Sequence, residues 1–161
     1  MDAIDFLRLQ HHEMEHALAH VLESADPAAK AAQFRDVADR LTLHIASEEQ
    51  VFYPAVKAER TEDILLESLE EHLSLKRLLA DLLEMDSAEQ TFEAKFKVLK
   101  EQTEHHHREE EEHLFPKVKK LLSSERRAAL GQEMLELQKK LDRRGEPREL
   151  VVDQTDAAAP L

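Results

Sequence analysis

With 161 residues and a net charge of −13, the chain is long enough for one domain with its own core and too acidic to favour duplex nucleic acid as a partner. It has no cysteine, which excludes disulfides, cysteine-ligated iron–sulfur clusters and thiolate-ligated haem. Two glycines among abundant Leu, Ala, Glu and Lys predict an all-α fold. No apolar run approaches membrane-spanning length, and Met1-Asp2-Ala3-Ile4-Asp5 shows no basic-then-apolar leader pattern, so the expected compartment is the cytoplasm.

The first predicted helix covers about residues 2–24. Ile4, Leu7, His11, Met14, Leu18 and Val21 recur at steps of three and four, a stripe that faces a bundle interior. His12, His16 and His20 form a ladder on the adjacent flank and read as a solvated face. Asp26-Pro27 breaks the chain, and Pro27 opens a second helix carrying Phe34, Val37, Leu41, His44, Glu48 and Val51. It runs to about residue 58, with Pro54 expected to kink it. Thr61-Glu62-Asp63 is the expected cap of a third helix with Ile64, Leu65, Leu69, His72, Leu75, Leu79 and Leu82. After a turn at Met85-Asp86-Ser87, a fourth helix carries Phe92, Phe96, Leu99, Thr103, His106, Glu110 and Leu114, with Pro116 in the place of Pro54. Ser123-Ser124-Glu125 can start a shorter fifth helix to about Leu141. The expected organisation is an up-down antiparallel four-helix bundle over 1–122, an accessory helix over 123–141 and a loose polar tail over 142–161.

One phrase occurs twice. His44 to Pro54 and His106 to Pro116 superimpose on a shift of 62 positions, which aligns His44 with His106, Glu48 with Glu110 and Pro54 with Pro116. Shifted by 61, His11 of the first helix falls on His72 of the third. Each copy sets a His and a Glu four residues apart on one helix face, which is half of a metal site. Two copies in one bundle point to a two-metal centre. The repeat selects His106 over its neighbours, so His105 and His107 are expected at the helix edge or in solvent. The donor set of His11, His44, Glu48, His72, His106 and Glu110 suits iron, zinc or manganese equally. Packing alone does not explain two inward carboxylates, because an unpaired buried carboxylate is expensive. A ferritin-like set fits poorly: Glu13-x-x-His16, Glu104-x-x-His107 and Glu110-x-x-His113 fall on the first and fourth helices only.

Over about residues 2–120 these motifs resemble the hemerythrin-like, HHE cation-binding family. The resemblance rests on Gln10-His11, His44-x3-Glu48-Glu49 before Phe52-Tyr53-Pro54, Glu71-His72, and His106-x3-Glu110-Glu111 before Leu114-Phe115-Pro116. It implies two non-haem iron ions inside the bundle, held by His11, His44, Glu48, His72, His106 and Glu110. The two Glu would bridge the irons together with an oxo or hydroxo ligand. The chain departs from the oxygen carriers of that family. Their third helix has a second His where this one has Lys76, and their last carboxylate is an Asp five after its His. The resulting open coordination positions favour reaction with O2, peroxide or NO over plain oxygen carriage.

The implied activities are peroxide decomposition of a catalase or peroxidase kind, or iron storage, or redox and oxygen sensing without turnover. Tyr53, the only tyrosine, either donates a hydrogen bond to bound peroxide or packs with its hydroxyl at the bundle end. Glu49, Glu111 and Glu112 either support the imidazoles from outside or remain solvated. The expected partners are the small ligand alone, with no nucleic acid, no membrane, and a monomer or weak homodimer.

Overall fold

Three of the five long helices begin where a side chain can satisfy a free N–H group. The side chain of Asp2 accepts from the Ile4 amide at 2.8 Å and opens α1, Ala3–Glu23, in a computed structural model that describes residues 1–161. Asp26 does the same for Ala29 at 3.0 Å, with Pro27 at the first helical position, where no N–H is needed; α2 spans Pro27–Ser47. Three further long helices are α3 (Glu62–Leu83), α4 (Gln90–Glu109) and α5 (Ser124–Arg143), the last capped by Ser123. Thr61 precedes α3 but does not cap it through its side chain; its hydroxyl donates to the Val56 carbonyl at 2.8 Å and ties down the preceding loop.

α1 packs on α2, α2 on α3, α3 on α4 and α4 back on α1, which closes a four-helix ring; α5 lies outside against α1 and α2. Short connections make successive helices antiparallel. No helix is long and apolar enough to cross a membrane.

The expected kinks at the two prolines take a particular form. After Ser47 the helix widens into a π-helical turn, Glu48–Phe52, in which the Tyr53 amide reaches five residues back to the Glu48 carbonyl. After Glu109 it widens again over Glu110–Leu114, with Phe115 bonding the Glu110 carbonyl. A proline ring clashes with the carbonyl four residues before it, and a wider turn relieves that clash. Helix then resumes as Tyr53–Ala55 and Phe115–Leu121. Both wide turns begin at a glutamate of the repeat.

The apolar core is in two blocks. One contains Met14, Leu18, Val37, Leu41, Leu75, Leu79, Phe92, Phe96 and Leu99. The other contains Ile4, Leu7, Phe52, Tyr53, Leu65, Leu69, Leu114, Phe115 and Met134. Leu7 and Met14, which flank His11, belong to different blocks, and so do Leu69 and Leu75, which flank His72. The residues between them form a polar layer across the bundle.

The segment after α5 is not the loose tail expected from its composition. A 3-10 helix at Pro147–Asp153 buries Val151 among the first block, and Arg148 pairs with Asp39 at 3.0 Å. Arg77 donates to the Thr155 and Asp156 carbonyls. Two buried apolar side chains, Pro147 and Val151, two arginine anchors, and Ala158, Ala159 and Leu161 against the second block hold the segment, a pattern too irregular to register as periodicity.

Candidate metal centre

All six expected ligands meet in the polar layer and all are buried. α1 supplies His11, α2 His44, α3 His72 and α4 His106; Glu48 and Glu110 come from the first positions of the two wide turns. His11 and His44 lie with Glu48 and Glu110 in one group, and His72 and His106 lie with Glu48 in another; within each group the donor atoms fall within 4.8 Å of one another. Nε2 of His11 is 3.2 Å from Glu110, Nε2 of both His44 and His72 is 3.2 Å from Glu48, and Nε2 of His106 is 3.5 Å from Glu110.

These approaches leave donor atoms unsatisfied. Nε2 of His11, Nε2 of His44, Oε2 of Glu48 and Oε1 of Glu110 are buried without a hydrogen-bond partner. Buried polar atoms are nearly always paired, so several orphans aimed at one point fit the demands of a cation. Imidazole nitrogen and carboxylate oxygen are ligand types that iron, zinc and manganese all accept.

The opposite ring nitrogens are held from outside. His72 Nδ1 donates to Glu49 at 2.9 Å, His106 Nδ1 to Glu71 at 3.0 Å, and His11 Nδ1 lies 3.1 Å from Glu111. His44 instead has an amide, Gln10, at 2.9 Å. Such bonds fix the tautomer and leave Nε2 with its lone pair toward the layer. Lys76 is buried on α3 and donates to the other oxygen of Glu49 at 2.8 Å, so a Lys–Glu–His chain runs out from the centre. The amide of Gln10 exchanges hydrogen bonds with Gln138 of α5, which also donates to Ser47. Of the three outer carboxylates read from the sequence, Glu49 and Glu111 take that role; Glu112 lies beside exposed His113 instead. Glu71 and Gln10 entered the sequence reading only as motif neighbours of a ligand. Their adjacency to His72 and His11 conceals that Glu71 serves His106 and Gln10 serves His44.

One alternative is decided and one expectation changes. Tyr53 is fully buried, and its hydroxyl points into the layer rather than to the bundle end: it donates to Glu110 Oε2 at 2.9 Å and lies 3.3 and 3.4 Å from Nε2 of His72 and His106. His107, expected at the edge, is buried as deeply as His106 and stacks on His11 with ring centroids 3.8 Å apart. The inward stripe of α4 is wide enough to take both residues, because positions three and four beyond Thr103 both face the core.

Without a metal the layer holds protons in its place. Burial opposes charge on His11, but Glu110 and Glu111 outweigh it and raise the imidazole from 6.5 to about 9. His72 is raised against burial by Glu48 and Glu49, and His106 is raised strongly by Glu110 and Glu48. Glu48 is held well below its usual range, burial notwithstanding, by the charge of His44, whereas burial and the neighbouring Glu48 charge push Glu110 up. Burial and the same two glutamates push Tyr53 well above the usual phenol value, so it remains a donor. Burial and the charges on His11 and His44 keep His107 neutral.

A sequence profile of the hemerythrin HHE cation binding domain matches residues 2–118. A DNA nickase from Nostoc sp. is 27% identical over 125 residues, covering 78% of this chain but only 36% of that protein. The chain therefore spans about a third of that relative's length. A crystal structure of a hemerythrin HHE cation binding domain-containing protein from Mycobacterium kansasii superimposes with a TM-score of 0.79, covering 95% of this chain and 98% of that one at 21% identity. That likeness concerns the fold.

Proposed function

This chain belongs to the hemerythrin HHE cation-binding family, and from that premise we propose that its polar layer holds two non-haem iron ions that bind or react with O2, peroxide or NO. The observation that supports this is the set of buried, partnerless imidazole nitrogens and carboxylate oxygens converging between the two apolar blocks. His11 and His44 would hold one ion, His72 and His106 the other, with Glu48 and Glu110 between them. Bound iron would supply electrons and Lewis acidity for a small oxidant.

The chain's own residues do the rest. The apolar blocks on both sides keep bulk water from the layer. The outer carboxylates orient the rings and balance part of the ionic charge. Tyr53, whose hydroxyl oxygen lies 2.9 Å from Glu110 Oε2, would donate a hydrogen bond to a small ligand held in the layer and return to Glu110 when that ligand leaves. As an enzyme, the protein would act on peroxide, which disproportionates to water and O2 with no outside reductant. The nicking activity of the Nostoc relative belongs to a much longer protein, and a net charge of −13 argues against nucleic acid as the partner here.

The test is metal content with an optical spectrum, on protein from iron-supplemented cells, before and after peroxide. About two irons per chain, near-ultraviolet absorption and O2 release would support the reading. Stable iron without turnover would favour storage or sensing. Two zincs per chain, or no stoichiometric metal, would sink it.

A further inference from the structure

The two copies of the phrase differ at several positions, and two of those differences bring a polar ring to the polar layer in one copy only. On the 62-residue shift Tyr53 corresponds to Phe115, and His107 to Ile45. Tyr53 stacks on His72 at 5.3 Å and Phe115 stacks on His11 at 5.9 Å, so the two aromatic rings hold equivalent places, but only Tyr53 brings a polar atom. Ile45 packs in the first apolar block. His107 does not follow it: its ring lies within 10° of parallel over His11 and edge-on to His44 at 5.4 Å.

Both nitrogens of His107 are buried and without a partner. The four imidazoles of the repeat each have an outer hydrogen bond; this one has none on either side. One of its nitrogens joins a nitrogen each from His11 and His44 in a group whose atoms lie within 4.8 Å of one another. A phenyl ring would fill the same space without burying two unsatisfied polar atoms. The imidazole therefore needs a partner that the protein itself does not provide.

We propose that His107, once turned out of its stack on His11, is a seventh protein ligand, joining His11 and His44 on one metal ion and making the two ions of the centre unequal. This rests on the two-metal reading above. One ion would have three imidazoles, whereas the other would have two imidazoles beside the Tyr53 hydroxyl.

The experiment titrates metal-free wild type and His107→Phe with Co2+, following binding optically and by competition with a chelator. Wild type should take up two ions per chain. The variant, with its ring retained and its nitrogens removed, should keep one tight ion and bind the second at least ~100-fold more weakly. Proton NMR of the Co2+-loaded wild type should show five strongly shifted, exchangeable imidazole N–H signals, one of them absent from the variant. Equal affinities in the two proteins, or four shifted signals in the wild type, would overturn the proposal. If the variant fails to fold, the wild-type count of five against four decides alone. A wild type that binds fewer than two ions would defeat the two-metal reading instead, and a shifted His107 signal would still mark that residue as a ligand.

Discussion

His72 shows how much of this centre is decided one side chain at a time. Its Nε2 faces Glu48, its Nδ1 is fixed by Glu49, and Glu49 is in turn fixed by buried Lys76. Lys76→Met leaves Glu49 with one partner fewer and should weaken metal binding ~10–100-fold in chelator competition. Tyr53→Phe keeps the ring and the stacking but removes the donor to Glu110; metal content should be unchanged while peroxide decay slows by about 100-fold. Either metal loss or an unaltered rate would count against a proton role for Tyr53. The protonation pattern sets a pH dependence for the metal-free protein. His11 is raised from 6.5 to about 9, so its contribution is complete below 6.5 and is lost as pH rises through 9. Raised His72, His106 and Glu110 lose theirs in the same direction. Depressed Glu48 adds stability above its ordinary 4.5 that disappears as pH falls below it. Denaturant midpoints of metal-free protein should therefore be highest between about pH 4.5 and 6.5 and decline toward pH 9. Metal affinity should run the other way, because ligation needs deprotonated imidazoles. The six donors were legible in the sequence because the repeat marks each of them twice. His107 and Tyr53 were not fully legible, because the copies differ at those positions as they do at several others; the mismatch with Ile45 and with Phe115 was the available signal.

At the scale of elements, the two wide turns put Glu48 and Glu110 where the helix changes pitch. The proline spacing foretold a kink but not its form, since a proline can bend a helix in several ways. α5 was predicted as an accessory piece, and its contacts give it more weight. Gln138 reaches through Gln10 to the back of His44, a link between residues 128 apart in the chain that no local pattern encodes. α5 also meets the start of α1 at Gly131, where a Cβ would run into the Met1 carbonyl and crowd the Ala3 amide. Gly131→Ala gains helix propensity yet should destabilise by about 1–3 kcal/mol, because rigid backbone stands in the way; thermal unfolding checks the sign, and a stabilised variant would show that the helix end can shift.

For the whole molecule, the bundle was legible from periodicity and caps, and the polar layer from the histidines and glutamates on the inward stripes. The anchoring of residues 147–156 was not, because it depends on Val151, Arg148 and Arg77 meeting distant partners. Removing metal should lower the unfolding midpoint by several degrees, and adding it back should restore the midpoint; an unchanged midpoint would argue that no ion belongs in the layer. The division of the core has a further consequence. Leu7 and Met14 on α1, like Leu69 and Leu75 on α3, answer to different apolar blocks with ionisable groups between them. With charge unbalanced at that seam, the two ends of the barrel of helices can open independently. Amide exchange in metal-free protein should then resolve two families of rates, one for each end, and a bound metal should merge them into a single cooperative unit.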